Sequence, residues 1–410
     1  MTACHTPGPA HRGAGGHACP PGVAAAARRL HPTPRLPSTV IRVLAHPPAP
    51  LESRWLAAAF LAAGLAVAAW TWLARRRRGR GVAVAHRGLR TATAAAATAV
   101  SLLLGALVLV NAHVGYLPTV SSLLGRLPTP IAAQPNPLRP VQGLPGVASV
   151  QQVTIPADPA LELPALPAVV YLPPGYGASQ RRYPVVYLIH GHPGRAIDWF
   201  NGGQVARTMT MLLADHLVQP MIVVSPTVAT SWASDSECLN AVGGPQFETY
   251  LTRDVVGFID RHYWTISQAS GRAIGGMSSG GYCALNLGLR HQHEFSMILA
   301  HEPYGTPGSS ARWRLLGGSQ ALYQANSPIA YLPTMTFRHR FAVFLDAPAS
   351  DRGSLSDTLR IAHELVARSQ LVSLRVVRGV GHTWLEARLG LPYSLVFASQ
   401  QWSAGDAQPV

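Results

Sequence analysis

The sequence predicts an α/β protein in which a pair of apolar helices precedes the folded domain. Short apolar runs alternate with amphipathic stretches from about residue 148 onward. Such alternation is typical of a mostly parallel sheet flanked by helices on both faces. Nearer the amino terminus lie two uncharged stretches of 19 residues each. The predicted segments are a disordered basic tail (1–54), a transmembrane helix hairpin (55–110), a juxtamembrane linker (111–147) and the α/β domain (148–410).

The charge of the 410-residue chain separates these parts. The formal net charge is +15; residues 1–150 hold 15 arginines and one acidic residue, and residues 151–410 hold 18 arginines and 17 acidic residues. A basic chain often indicates nucleic-acid binding. Here the arginines flank apolar stretches, so the pattern favours a lipid bilayer as partner and no nucleic acid.

The two apolar stretches run from Trp55 to Leu73 and from Ala92 to Val110. Each approaches the ~20 residues that a helix needs to cross a bilayer; the alternative is two buried helices of a soluble domain. Seven arginines lie between them, which predicts a cytoplasmic loop: Arg75, Arg76, Arg77, Arg78, Arg80, Arg87 and Arg90. The expected location is therefore the cell membrane, multi-pass, with the α/β domain outside the cytoplasm.

The flanking segments are predicted from composition. Residues 1–54 are rich in Pro, Ala, Gly and His and lack an apolar period, which is typical of disorder. Residues 111–147 begin with a short amphipathic piece and then become proline-rich, which indicates a semi-rigid spacer.

Eight apolar runs of the α/β domain are predicted strands: Val150–Ile155, Ala168–Leu172, Tyr183–Ile189, Met221–Ser225, Arg272–Met277, Phe295–Ala300, Phe341–Asp346 and Val372–Arg378. Three amphipathic stretches between them are predicted helices: Gln246–Tyr263, Ser279–Arg290 and Leu355–Arg368.

The most specific motif lies at the end of the fifth predicted strand. Gly276, Met277, Ser278, Ser279 and Gly280 fit G-x-S-x-G between a strand and a helical pattern, which is the context of a nucleophile elbow. The glycines allow a sharp turn that presents the Ser278 hydroxyl at the helix start. Ser279 is the rival nucleophile, but only Ser278 has the two-residue spacing to both glycines. The alternative is a turn without a catalytic role.

A nucleophilic serine needs a base, and the base needs an acid to orient it. In the nucleophile-elbow arrangement both follow later strands, in the order Ser, Asp or Glu, His. His382 follows the last predicted strand in a glycine-bearing loop. For the acid, Asp351 lies deeper in its loop than Asp346 and is favoured over it, with Asp357 third.

An oxyanion hole needs two backbone N–H groups aimed at the developing charge. One is expected from Ser279, directly after the nucleophile. The other is expected from His192, in the glycine-rich loop after the third predicted strand. The rings of His190 and His192 are either part of the site or ordinary turn side chains.

The four cysteines divide between the two parts of the chain. Cys238 and Cys283 lie in the predicted outside domain, where a disulfide can persist, and they are possible partners. Cys4 and Cys19 lie in the tail. The spacing of Cys, His and Asp fits no zinc site, and no phosphate-binding glycine motif is present. We therefore expect chemistry that needs no metal and no cofactor.

Taken together, these segments resemble the putative esterase family of α/β-hydrolases, which is related to esterase D and to the mycolyltransferases of mycobacterial cell walls. The resemblance is carried by VVYLIHGHPGRAIDWFNGG, ECLNAVGGPQFETYLTRDVVGFI, AIGGMSSGGYCALNLGLRH and GVGHTW, and NAHVGYLPTVSSLLG is similar to membrane-anchored actinobacterial members. It implies a triad of Ser278, Asp351 and His382, with oxyanion N–H groups at His192 and Ser279. Two departures stand out: the loop 347–351 lacks a glycine that relatives often have, and Ala387 replaces a tryptophan.

Three functions follow as hypotheses. The first is a membrane-anchored serine esterase that hydrolyses a small-molecule or lipid ester, as in the cell envelope, outside the cytoplasmic membrane. The second is an acyltransferase, in which a sugar or lipid hydroxyl replaces water. The third is a binding domain that retains the hydrolase fold without catalysis. A complete Ser, Asp and His set argues against the third.

Overall fold

The computed structural model describes residues 30–45, 49–77, 85–126, 148–178, 181–231 and 234–406. An eight-stranded sheet forms the centre of the carboxy-terminal part, in the spatial order β1-β2-β4-β3-β5-β6-β7-β8. The strands are β1 (Ser149–Ile155), β2 (Leu166–Leu172), β3 (Val185–Ile189), β4 (Ile222–Pro226), β5 (Arg272–Met277), β6 (Met297–His301), β7 (Ala342–Pro348) and β8 (Leu371–Val377).

The predicted α/β-hydrolase fold, a mostly parallel sheet flanked by helices, is confirmed. β2 is antiparallel to both β1 and β4, and the strands from β4 through β3 to β8 are parallel. Each of the eight predicted strands is present, with both ends within two residues of the prediction. The buried strands were readable because a strand covered on both faces is apolar throughout.

The helices before the sheet are α1 (Ser38–Ala45), α2 (Arg54–Arg77), α3 (Ala85–Val114) and α4 (Val120–Leu123). Those of the α/β domain are α5 (Asp198–Asn201), α6 (Val205–Ala214), α7 (Phe247–Thr249), α8 (Val256–His262), α9 (Ser279–Arg290), α10 (Gly308–Arg314), α11 (Gln320–Ala325), α12 (Pro328–Tyr331), α13 (Arg352–Ala367) and α14 (Trp384–Asp406). A π-helical stretch, Tyr250–Val255, joins α7 to α8.

Two apolar layers cover the sheet. One face packs against α7, α8, α9 and α13. The other face packs against α1, α6 and α14. The sheet is thus buried on both sides, and its strand ends are left to carry the functional loops.

The prediction of a disordered tail is wrong for residues 30–45. The N–H of His31 donates to the carbonyl of Val372 (2.7 Å), so this segment extends the edge of the sheet at β8. In α1, Val40 and Leu44 are buried, four residues apart on one helix face. A helix of eight residues is too short to show a clear apolar period, so α1 could not be predicted from the sequence. Residues 1–29, with Cys4 and Cys19, lie outside the described part.

α2 and α3 pack against each other through small residues. A methyl group added at Gly105 would lie 2.7 Å from Leu61, and one at Gly64 would lie 3.1 Å from Leu102. Both helices are long and apolar enough to cross a membrane, over Arg54–Arg76 and Arg90–Val114. The loop 78–84 lies outside the described residues, as do the side chains at 77 and 85–89.

The predicted linker contains ordered structure at its start. α3 continues to Val114, and α4 follows with a capping box in which Thr119 and Ser122 bond each other's backbone N–H groups. Residues 127–147, the proline-rich part, lie outside the described residues.

Candidate active site

Ser278 lies at a strained turn between β5 and α9. Its backbone has φ 57° and ψ −119°, a conformation that costs a non-glycine residue free energy and is concentrated at functional sites. Its N–H donates to the carbonyl of His301 (3.0 Å). The half-buried side chain follows the carboxyl end of the strand directly, as a nucleophile elbow requires.

The two glycines of the motif are sterically required. A methyl group at Gly276 would lie 2.2 Å from the carbonyl oxygen of Gly280, and one at Gly280 would lie 2.2 Å from the carbonyl oxygen of Ile189. Both contacts are with backbone, which cannot move aside. The glycines therefore allow β5, α9 and the end of β3 to approach closely enough to form the turn.

His382 and Asp351 are paired. Nδ1 of His382 lies 2.7 Å from Oδ2 of Asp351. The other oxygen of Asp351 accepts from the N–H groups of Gly353 and Ser354 and caps α13. Burial acts to raise the pKa of Asp351, but these N–H groups and His382 hold it below its usual range. An ionised carboxylate only accepts hydrogen bonds, so Nδ1 carries the hydrogen and Nε2 of His382 is left with a free lone pair.

The two other candidates for the triad acid, Asp346 and Asp357, bind groups other than His382. Asp346 is fully buried, accepting from Nδ1 of His301 (3.0 Å) and from Arg375 (3.1 Å). Asp357 accepts from the N–H of Gly305 (2.8 Å). Among the three candidates, Asp351 is thus the one that the structure pairs with His382.

Strand register brings the motif residues to one edge of the sheet. Met277, His301, Asp346 and Arg375 form a row across β5, β6, β7 and β8. Ser278 comes directly after the first of these, and the loops that bear Asp351 and His382 leave the third and fourth strands. Carboxyl ends of parallel strands meet at one edge, which is where α/β proteins place their sites.

The loop after β3 lies against the elbow. A methyl group at Gly191 would lie 2.5 Å from Sδ of Met277 and 3.4 Å from Cβ of Ser278. The next residue, His192, has an exposed ring and precedes Pro193 through a cis peptide bond. Ser279 begins α9, where backbone N–H groups are free of partners within the helix. The two predicted oxyanion donors thus belong to segments that flank Ser278.

His190 has a positioning role in this loop. Its buried ring bonds the carbonyl of Gly191 through Nδ1 (2.8 Å) and the N–H of Val228 through Nε2 (3.2 Å). These partners define a neutral ring with the hydrogen on Nδ1, and burial lowers the pKa of His190 to about 4. The ring ties the loop after β3 to the loop after β4, so it is structural rather than reactive.

Trp384 forms part of the packing behind His382. Its ring meets that of Trp199 edge to face at 5.2 Å and lies 6.3 Å from the ring of Tyr116. Ala387, the second of the two departures named above, is fully buried in the core. This departure therefore changes the packing of α14 and not an exposed wall.

Sequence reasoning missed Glu302. It follows β6 directly, is fully buried and has φ 50°. Oε1 accepts from the N–H of Thr383 (3.0 Å), and Oε2 lies 3.9 Å from Nε2 of His382. An acidic residue directly after an apolar strand, in LAHEPYG, was the available signal.

The structure joins Cys238 and Cys283 in a disulfide. The bond ties the loop before α7 to the first turns of α9, the helix that Ser278 begins. Next to it, Glu237 is buried and accepts from the hydroxyl of Tyr304 (2.7 Å), and burial raises its pKa to about 8.

A buried polar network links the carboxyl ends of β6, β7 and β8 to α14. A ring nitrogen of His301 lies within 4.8 Å of one carboxylate oxygen of Asp346 and one of Glu386, and these two oxygens are equally close to each other. Arg375 contacts both carboxylates, at 3.1 and 3.5 Å, and Nε2 of His301 bonds the hydroxyl of Ser394 (3.0 Å). The guanidinium supplies the positive charge that this group of carboxylates needs.

The sequence of this domain matches a model of a known protein family. The family model described as "Putative esterase" matches residues 165–388, more than half of the chain, including the elbow, Asp351 and His382. The chain belongs to this family. The predicted resemblance is thereby confirmed, and the α/β domain is that of an esterase-type serine hydrolase.

Curated relatives match shorter parts of the chain. An endo-1,4-beta-xylanase/feruloyl esterase of Xylanibacter ruminicola is 32% identical over 36% of this chain and 20% of its own length. An esterase of Mycobacterium tuberculosis is 30% identical over 32% of this chain and 28% of its own. An uncharacterised protein of Corynebacterium glutamicum is 28% identical over 39% of each. The chain thus spans between a fifth and two fifths of the length of these relatives.

Solved structures share the fold at low sequence identity. A ferulic acid esterase superposes with a TM-score of 0.54 at 23% identity, covering 62% of this chain and 99% of its own. An S-formylglutathione hydrolase from Agrobacterium tumefaciens superposes with a TM-score of 0.53 at 18% identity, covering 64% and 98%. Each likeness therefore shows a shared fold over less than two thirds of this chain.

Proposed function

We propose that this protein is a membrane-anchored serine esterase that cleaves a carboxylic ester through an acyl-Ser278 intermediate, outside the cytoplasm. The observation that carries the proposal is the strained elbow at Ser278, at the same sheet edge as a His382–Asp351 pair. The family membership supports the same class of reaction.

The chemistry follows from the hydrogen-bond directions. The hydroxyl oxygen of Ser278 attacks the ester carbonyl while Nε2 of His382 takes its proton, and Asp351 stabilises the imidazolium. Backbone N–H groups of His192 and Ser279 donate to the oxyanion. The imidazolium then gives its proton to the departing alcohol, which leaves an acyl-serine. Water enters, Nε2 of His382 accepts its proton, and hydrolysis releases the carboxylic acid and restores Ser278.

The location is inferred from the hairpin and the disulfide. α2 and α3 are long enough to span a bilayer and expose most of their apolar surface, as at Trp70 and Val110. The arginine-rich segment between them favours the cytoplasmic side. The Cys238–Cys283 disulfide fits an oxidising compartment. Together these features favour a cytoplasmic loop and an outside catalytic domain.

One experiment tests the reaction. The full-length chain in detergent is mixed with a short p-nitrophenyl ester, quenched within one turnover and digested. We expect a mass increase of one acyl group on the peptide that contains Ser278, followed by its loss as acid forms. A sugar alcohol added as acceptor separates hydrolysis from transfer, because transfer would replace the acid with a new ester. Absence of any acylated peptide and of any acid contradicts the proposal.

A second experiment tests the location. Reporter enzymes that are active only outside the cytoplasm are fused after residue 120 or at residue 82. We expect activity after residue 120 and none at residue 82. The reverse pattern contradicts the proposed orientation while leaving the chemistry untouched.

A further inference from the structure

A short apolar surface lies at the end of the helix hairpin. α4 begins six residues after α3 ends, and the exposed fractions of Val120, Leu123 and Leu124 are 56, 60 and 61%. We call these three side chains the α4 apolar face. Trp55, at the start of α2, is 86% exposed. Apolar side chains this open in a capped helix indicate a partner that is itself apolar.

Hydrogen bonds hold the α4 apolar face beside the hairpin end. The side chain of Asn111 donates to the carbonyls of Leu51 and Leu117 and accepts from the N–H of Leu117. The N–H of Leu51 donates to the carbonyl of Pro118 (3.2 Å). The chain entering α2 and the chain leaving α3 are thus joined, and α4 starts at this junction.

The same segment contacts the catalytic domain beside the site. Tyr116 hydrogen-bonds Asp198 and lies against Trp384, two residues after His382. Arg388, one turn further along α14, pairs with Glu52 (2.8 Å). Gly125, the second residue after the end of α4, lines a crevice of about 310 Å³ together with residues 194–197, which follow His192 in the chain. The junction therefore lies between the hairpin and the part of the catalytic domain that follows His382 in the chain.

We propose that the α4 apolar face inserts into the outer leaflet of the bilayer that the hairpin crosses, and that the site takes its ester from a lipid in that leaflet. The proposal rests on the membrane anchoring proposed above. Apolar side chains at the interface, next to a span and a tryptophan, are the pattern of surface-inserted segments. A lipid ester in that leaflet then lies next to the segment that contacts Trp384, two residues after His382.

The test uses the full-length chain in phosphatidylcholine–phosphatidylglycerol vesicles. Activity is measured on 4-methylumbelliferyl oleate dissolved in the bilayer and on water-soluble p-nitrophenyl acetate. In the variant, Val120→Ser, Leu123→Ser and Leu124→Ser are combined. The matched control is Val242→Ser with Leu322→Ser, which changes exposed apolar residues of the catalytic domain.

We expect the α4 variant to lose at least tenfold on the oleate and to stay within twofold on the acetate, with the control unchanged on both. Equal rates of the α4 variant and the wild type on the oleate would overturn the proposal. A parallel loss on both substrates would also overturn it, because the defect then lies in the fold. A wild type inactive on both esters would instead refute the esterase function itself.

A separate observation concerns Glu302. Its Oε2 is buried without a hydrogen-bond partner among the described residues and lies 3.9 Å from Nε2 of His382. We infer that Glu302 is a positioning residue that acts through His382, its carboxyl facing the nitrogen that carries the proton during catalysis.

The groups facing Glu302 decide when it is charged. Burial raises the pKa of Glu302 to about 9; the N–H of Thr383 opposes this, and the carboxylates of Asp346 and Asp351 add to it. Glu386 lies near enough for its own pKa to be raised in part by Glu302. At pH 7 the Glu302 carboxyl is therefore protonated, and above about pH 9 it becomes a carboxylate that favours the imidazolium of His382.

The pH profile of kcat/KM on a soluble ester tests this role, with Ser278→Ala subtracted as the background. We expect a rising step near pH 9 in the wild type, its absence in Glu302→Gln, and its return in Glu302→Asp. A Glu302→Gln profile that superimposes on that of the wild type would overturn the inference, as would a uniform loss at every pH.

Discussion

Helix α9 and the hairpin helices are all rich in apolar residues, but their surroundings are opposite. In α9, eleven consecutive residues from Ser279 to Leu289 are buried by the domain. In α2 and α3, large apolar side chains such as Leu65 and Val110 are more than half exposed. Burial of apolar surface is favourable by roughly 25 cal/mol per Å², and the described part of the chain leaves these faces uncovered. The hairpin therefore needs an apolar environment that the catalytic domain does not.

The apolar side chains of these helices therefore differ in burial, and composition alone does not show what covers a helix. It also separates two functions along the chain. In our proposal the helix that follows the elbow serves the chemistry, whereas the hairpin serves the location. Changes at the site should therefore abolish turnover and leave membrane attachment intact, and changes at the contact between the hairpin and the domain should leave turnover of a soluble ester nearly unchanged.

The largest expected effect comes from removing the base. Members of a catalytic triad act as a unit, so His382→Ala should lower kcat on a soluble ester on the order of 10⁴-fold or more. The fraction of protein recovered with membranes should equal that of the wild type. Turnover within tenfold of the wild type would show that His382 is not the base.

The next largest loss of activity is expected when the carboxylate of Asp351 is replaced, and Asp346 serves as the comparison. Asp351→Asn keeps an oxygen for the α13 cap but replaces the carboxylate that faces Nδ1 of His382 with an amide. The amide favours the wrong tautomer of the imidazole, so kcat should fall on the order of 10⁴-fold. Asp346→Asn removes the charge of one of the two buried carboxylates that Arg375 contacts, and it should destabilise the fold by about 3 kcal/mol. Steady-state kinetics and thermal unfolding, measured on both variants, distinguish the roles. Reversed results would make Asp346 the catalytic acid.

These two residues also show what the sequence could and could not reveal. The strand ends and the elbow were readable, because buried parallel strands are uniformly apolar and the glycine motif is local. The choice between Asp346 and Asp351 stays open in the sequence because both lie at the end of one strand, five residues apart, and only the fold sets which carboxylate reaches His382. Glu302 was missed for a similar reason: its importance comes from a neighbour 80 positions away along the chain.

A smaller effect is expected where the hairpin meets the domain. Arg388 is almost fully buried and makes two hydrogen bonds with Glu52. Arg388→Met removes the guanidinium and leaves the Glu52 carboxylate unpaired, so residues 115–126 should be cut faster by protease. Turnover of a soluble ester should change by less than about fivefold, because the pair lies outside the reacting groups. Arg338→Met, an exposed arginine, is the control. Equal proteolysis of both variants would mean that the pair does not hold the two regions together.

The smallest effect is expected at the residue after the nucleophile. Ser279→Ala keeps the backbone N–H that we assign to the oxyanion hole and removes only the hydroxyl. Its kcat/KM should stay within about threefold of the wild type, since hydroxyl loss from a buried helix start affects packing more than charge stabilisation. A loss comparable to that of His382→Ala would make the Ser279 hydroxyl part of the chemistry.

Labelling with a fluorophosphonate is the most direct test of whether Ser278 is the nucleophile. The probe is applied to membranes that contain the full-length wild type, Ser278→Ala or Ser279→Ala, and the modified peptide is identified by mass spectrometry. We expect one modification at Ser278 in the wild type and in Ser279→Ala, and none in Ser278→Ala. Labelling that persists in Ser278→Ala and disappears in Ser279→Ala would contradict it.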